Sequence, residues 1–211
     1  MLFRSNGQAE VAKFISEYRA NEDTRNKLLS TTLDTVEYGT DDDGNDEAKD
    51  SLHAAVEEGN IETVRSLLEQ GVDVNARNAS NDTPLDRAVA KANVDVVRLL
   101  IERGAEVDPR DKRGLTPLHR SSRDGYLDVS RVLLDHGANV NARMRDYWTP
   151  IQSSAAWGHL EITKLLIERG ADIHVVNGEG QTPYQVSLAY GCREIADLLR
   201  KHGGERFGEN L

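Results

Sequence analysis

Thr-Pro recurs at Thr83-Pro84, Thr116-Pro117, Thr149-Pro150 and Thr182-Pro183, and a glycine recurs at Gly71, Gly104, Gly137, Gly170 and Gly203. Both series advance by 33 residues without slippage. A period of this size makes each unit one supersecondary element that cannot bury its apolar face alone, so the units must stack. The expected fold is an all-α repeat solenoid.

The local chemistry of each unit supports two helices. Threonine N-caps a helix through its hydroxyl, and proline fits the first helical position, where no donor is needed. The first helix should end at Gly59, Gly125, Gly158 or Gly191, since glycine takes the left-handed cap conformation freely. The second helix carries one apolar stripe, such as Val129, Val132 and Leu133, or Ile162, Leu165 and Leu166. An exposed turn then leads to the next Thr-Pro.

The units are expected at residues 45–77, 78–110, 111–143, 144–176 and 177–203. The first has Asp50-Ser51 in place of Thr-Pro, with Asp46, Glu47 and Lys49 expected at its turn. Residues 1–44 lie outside the period and form an expected helical cap and acidic linker. One or two short helices are indicated there by Val11, Phe14, Ile15 and Tyr18, then Leu28, Leu29, Leu33 and Val36. Asp41–Glu47 reads as a solvated linker, or as an acidic lid over the basic stripe described below. Residues 204–211 read as a polar tail.

Composition narrows the function classes. Of 211 residues, 38% are hydrophobic and 29% charged, and the net charge of −10 disfavours nucleic acid and anionic membranes as partners. Cys192 is the one cysteine, so no intramolecular disulfide can form. The opening residues lack the apolar core of a signal peptide, and no run approaches ~18 apolar residues. A cytoplasmic location is expected, with the nucleus as the alternative.

Gly-x-Thr-Pro-Leu-His at Gly114–His119, the Leu-Leu pairs and the Gly-Ala-Asn-Val-Asn-Ala run at Gly137–Ala142 resemble the ankyrin repeat. The resemblance covers about three quarters of the chain. It implies helix pairs with protruding hairpin-like loops in a curved array. It also implies a non-enzymatic protein-binding role, through hairpin tips and first helices on the concave face. Three departures stand out. Tyr147 occupies a hairpin-tip position held by Gly114 and Gly180, so a reshaped fourth hairpin is expected. Ala92 replaces the mid-unit glycine, so a less regular turn is expected there. Asp86, Gln152 and Gln185 replace the histidine of His53 and His119, so the loop-stabilising histidine bonds are not expected in those units. Asn75 and Asn141 resemble asparagines hydroxylated in eukaryotic ankyrin repeats, but bonding within their own turns accounts for them.

Chemistry beyond binding finds little support. The six histidines show no zinc-type spacing, Cys192 lacks a partner motif, and the glycines punctuate repeats without a phosphate-loop context. No catalytic residue, metal, cofactor or small-molecule substrate is expected, and the chain is expected to be a monomer. The informative positions are those the repeat leaves free. Arg77, Arg110 and Arg143 form a column. With Lys91, Lys112, Arg113, Arg123 and Arg145 they make a basic stripe that meets Trp148, Trp157 and Tyr190. Trp and Arg dominate binding hot spots. The expected partner-binding set is therefore Arg110, Lys112, Arg113, Leu115, Arg123, Arg143, Arg145, Trp148, Trp157 and Tyr190. The expected ligand is an acidic protein or peptide with apolar anchors. The alternative is nucleic acid or another anionic polymer on the same stripe.

Overall fold

The computed structural model describes residues 46–205. The expected N-terminal helices, the acidic run before Asp46, and the tail from Arg206 lie outside the described residues. Among the described residues there are ten α-helices, one short 3-10 turn and no strand. The all-α repeat solenoid expected from the period is the architecture found.

The helices come in five antiparallel pairs. They are α1 (Asp46–Glu58) and α2 (Ile61–Glu69), α3 (Pro84–Ala90) and α4 (Val94–Glu102), α5 (Pro117–Asp124) and α6 (Leu127–Asp135), α7 (Pro150–Trp157) and α8 (Leu160–Glu168), and α9 (Pro183–Ala189) and α10 (Arg193–Lys201). First helices stack in the order α1, α3, α5, α7, α9, and second helices in the order α2, α4, α6, α8, α10. The core follows the 33-residue step. Leu100, Leu133, Leu166 and Leu199 are fully buried in successive second helices, and Leu52, Leu85, Leu118 and Ile151 are buried in successive first helices. Each such side chain contributes about 2 kcal/mol of burial.

Thr-Pro starts four of the first helices as expected. Thr83, Thr116, Thr149 and Thr182 each form a reciprocal cap with the residue three positions on. The first unit differs. The expected turn around Asp46, Glu47 and Lys49 is instead the opening of α1, which runs for 13 residues. Without Thr-Pro to fix a start, strong helix formers such as Glu47, Ala48 and Lys49 extend the helix backwards.

Ala92 also departs from expectation. It adopts φ 53°, and its amide bonds Val89 O while that of Asn93 bonds Ala88 O. Gly59 and Asn60 make the same two bonds to Val56 and Ala55. The turn is therefore conserved in shape, and Ala92 carries left-handed strain that the glycines avoid.

Polar side chains stitch unit to unit through side-chain-to-backbone bonds. His53 Nε2 meets Asp82 O at 3.1 Å, and His119 Nε2 meets Trp148 O at 3.1 Å while its Nδ1 faces Thr116. Contrary to expectation, Gln152 makes the same bridge. Its Nε2 donates to Gln181 O at 2.8 Å, and its Oε1 accepts from Thr149 N at 3.1 Å. Glutamine supplies one acceptor and one donor at opposite ends of a planar group, as a neutral imidazole does. Asp86 keeps only the cap: Oδ2 accepts from Thr83 N and Oγ1, both at 2.9 Å. A carboxylate has no donor to reach onward. Asn75 and Asn141 likewise bridge units and do not close only their own turns. Asn75 Oδ1 accepts from Glu106 N at 2.9 Å, and Asn141 Oδ1 accepts from Asp172 N at 2.8 Å.

Candidate interaction surface

The loops before Thr-Pro share a side-chain clamp. Asn78, Asp111 and Asn177 each accept, through Oδ1, from the amides two and four residues on. Such Asx turns fix a tight loop. The fourth unit has Met144 at that place, so the clamp is missing. Tyr147 takes φ 59° where Gly114 takes φ 75°, and Asp146 takes φ 62° as well. Two successive left-handed residues reshape the fourth hairpin into the 3-10 turn Arg145–Tyr147. The neighbouring hairpins compensate. Arg145 N donates to Arg113 O at 2.8 Å, and Gly178 N donates to Asp146 O at 2.6 Å. A Cβ on Gly178 would stand 3.2 Å from Asp146 O, so glycine admits the protruding loop.

The arginine column is largely committed to this scaffold. Arg77 Nη1 donates to Asn81 O at 2.9 Å. Arg110 Nη1 donates to Arg143 O at 2.8 Å and to Gly114 O at 3.3 Å. The Arg143 guanidinium lies 6.0 Å from the Tyr147 ring centroid, within cation–π range. Arg123 forms a fork with Asp124 at 2.7 and 3.0 Å, and its carbonyl meets His159 Nε2 at 2.8 Å. These four are less available than their positions suggest.

Lys112, Arg113 and Arg145 differ. All three are exposed, and none has an ion pair among the described residues. The Arg145–Arg113 backbone bond joins the two hairpins that carry them. Leu115, at the base of the third hairpin, is half-buried.

The aromatic residues are half-buried against the core edge. Trp148 meets Tyr190 edge-to-face, with centroids 6.4 Å apart and planes at 86°. Such a pair adds about 1 kcal/mol beyond burial. Burial, with a smaller contribution from Glu179, raises the Tyr190 phenol pKa. Trp157, the last residue of α7, is also half-buried and packs against the core. Tyr147 is 61% exposed. Free cations beside aromatic rings can hold carboxylates and apolar side chains together.

Arg87 and Arg120 hold the same place in successive units but have different neighbours one unit away. In the second unit, Arg87 Nε lies 3.3 Å from Glu57 Oε1 and 3.5 Å from Asp82 Oδ2. One period on, those three places hold Arg120, Ala90 and Leu115. The signal was available in the 33-residue register.

Among the described residues, no group of three or more His, Cys, Asp or Glu could hold a metal ion. No described helix is long and apolar enough to cross a membrane. The family model for ankyrin repeats (three copies) matches residues 1–111, 52–144, 106–177 and 142–208. The chain belongs to the ankyrin-repeat family. Ankyrin repeats are generally protein–protein interaction modules and typically non-enzymatic. No curated protein matches the chain.

Proposed function

We propose that this protein is a non-enzymatic binding module for an acidic protein or peptide with apolar anchors. The ligand lies across hairpin tips and first helices of the third to fifth units. The observation that carries this reading is the trio Lys112, Arg113 and Arg145. Three exposed cations, without ion pairs among the described residues, sit on adjoining hairpins, and the fourth unit also carries Trp148 of the Trp148–Tyr190 pair. Cations left uncompensated in a chain of net charge −10 favour an anionic partner and steer its approach. Arg110, Arg123 and Arg143 shape the floor, Leu115 and Trp157 supply apolar contact, and the aromatic edge supplies affinity. The binding function resides in the array at residues 45–203, with 1–44 as cap and linker and 204–211 as tail. The protein acts as a monomer in the cytoplasm, without a cofactor.

Peptide-display selection on the whole chain tests the reading. Enriched sequences should combine Asp or Glu with an aromatic or aliphatic residue. Enrichment of basic peptides, or none, overturns it. Fluorescence anisotropy with a single-stranded oligonucleotide separates the alternative. Tight binding that falls steeply between low and physiological salt would favour the anionic-polymer reading.

A further inference from the structure

We infer that the cleft between the α7–α8 turn and the α9–α10 turn binds a small heteroaromatic ligand carrying a ring N–H, imidazole being its simplest form. The cleft lies at the far ends of α7 and α9 from Thr-Pro, and is independent of the peptide-binding reading. One unit earlier the corresponding gap is filled. His159, the residue before α8, lies over Gly125, the turn glycine of the third unit. A Cβ on Gly125 would meet His159 Cε1 at 2.6 Å and Nδ1 at 2.9 Å, so glycine is what admits the ring. His159 Nε2 lies 2.8 Å from Arg123 O, in the last turn of α5. A carbonyl only accepts, so this nitrogen carries the hydrogen and donates it.

One period on, the backbone repeats and the ring is missing. Cys192 N donates to Ser187 O and Arg193 N to Gly191 O, as His159 N does to Ser154 O and Leu160 N to Gly158 O. Cys192 therefore stands over Gly158 as His159 stands over Gly125, with a thiol in place of an imidazole. Among the described residues, Cys192 Sγ at 3.4 Å is the only atom beyond Gly158 and its chain neighbours within 4 Å of a Cβ there. Ala156 O, the counterpart of Arg123 O, lies 3.8 Å from that sulfur, a weak donor. An open cleft of about 490 Å³ results. Leu160 and Ile195 line it with apolar surface, and Arg193 and Glu194 border it. A ring laid on Gly158 would donate to Ala156 O as His159 donates to Arg123 O. The cleft is larger than a bare imidazole, so substituents on the ring would meet Arg193 and Glu194.

The test titrates the isotope-labelled full chain with imidazole and with 1-methylimidazole at pH 8, where both rings are largely neutral. Amide resonances of Gly158, Gly191 and Cys192 should shift saturably with imidazole, with a Kd on the order of millimolar for so small a ligand. 1-Methylimidazole should bind at least about tenfold more weakly, since its ring has no N–H for Ala156 O. Cys192→His supplies the ring from the chain itself. It should raise the melting temperature and weaken imidazole binding at least about tenfold, because its own side chain fills the cleft. His159→Cys opens the equivalent gap, so imidazole should then also shift Gly125. No saturable shift in wild type overturns the site. So does equal binding of the two ligands, or undiminished imidazole binding by Cys192→His. Should a variant fail to fold, the two ligands compared on wild type decide alone. The acidic-peptide reading stands or falls separately, on the display selection.

Discussion

Gln152 Nε2 donates to Gln181 O at 2.8 Å, across the same 29-residue step at which His119 Nε2 meets Trp148 O at 3.1 Å. Two side chains of different chemistry thus perform one bridging task in adjacent units. Only one of them titrates.

That difference yields a pH prediction. Burial pulls the His119 pKa down to about 4, below the ordinary 6.5. Unfolded chain takes up the proton as pH falls through the ordinary value, while folded chain resists until about 4. Stability should therefore fall as pH drops through this window, by on the order of 3 kcal/mol at its full extent. His119→Gln should match wild type near pH 7 and exceed it near pH 4. Urea unfolding at both values measures this, and equal acid loss in the variant would contradict it.

Asp86 gives the opposite sign. Burial raises its carboxyl pKa, so its contribution to stability is greatest below 3.8 and is lost as pH rises through the folded value. Asp86 caps Thr83 but makes no bridge to the next unit. Asp86→His should restore the bridge made by His53 and His119. A gain of about 1 kcal/mol at pH 7 is expected from one buried hydrogen bond. Thermal unfolding checks it, with a lowered midpoint as the contrary result.

Backbone strain gives a third set. Ala92 at φ 53° and Tyr147 at φ 59° occupy turns that glycine fills elsewhere in the array. Ala92→Gly and Tyr147→Gly should each stabilise by about 1 kcal/mol, the relief of a left-handed residue. For Tyr147 the lost cation–π contact with Arg143 subtracts part of the gain. Gly178→Ala should destabilise, since its Cβ would press on Asp146 O at 3.2 Å. Denaturant midpoints rank the three variants.

The aromatic residues separate binding from folding. Trp157→Ala should weaken peptide binding by roughly 2 kcal/mol, within the range of hot-spot truncations. Trp148→Ala should also lower the melting temperature, because it removes the edge contact with Tyr190. Unchanged affinity in a variant lacking both tryptophans would remove the aromatic half of the site.

The fold was legible because Thr-Pro and glycine act locally. A cap or a left-handed turn needs only its own few residues, so a strict period identifies the unit. The site was less legible because a charge acquires meaning from neighbours one period away. Arg77, Arg110 and Arg143 form a column in sequence, yet Arg77 and Arg110 are occupied by backbone carbonyls. Arg120 breaks no local rule, and that its place lacks the acids which pair with Arg87 shows only in the 33-residue register. Gln152 differs from histidine in residue type but matches it in donors and acceptors, and that count decides the bridge. Met144 shows the converse: its missing clamp was visible against Asn78, Asp111 and Asn177, and with Tyr147 it accounts for the reshaped hairpin.

Lys112, Arg113 and Arg145 are exposed on adjoining hairpins and have no ion pair among the described residues. The most direct measurement is the affinity of the selected acidic peptide for a variant with Lys112→Glu, Arg113→Glu and Arg145→Glu, by calorimetry at two salt concentrations. A loss of at least about tenfold is expected, with most of the salt dependence lost, since the steering charges have been reversed. Wild-type affinity and salt dependence in that variant would contradict the account.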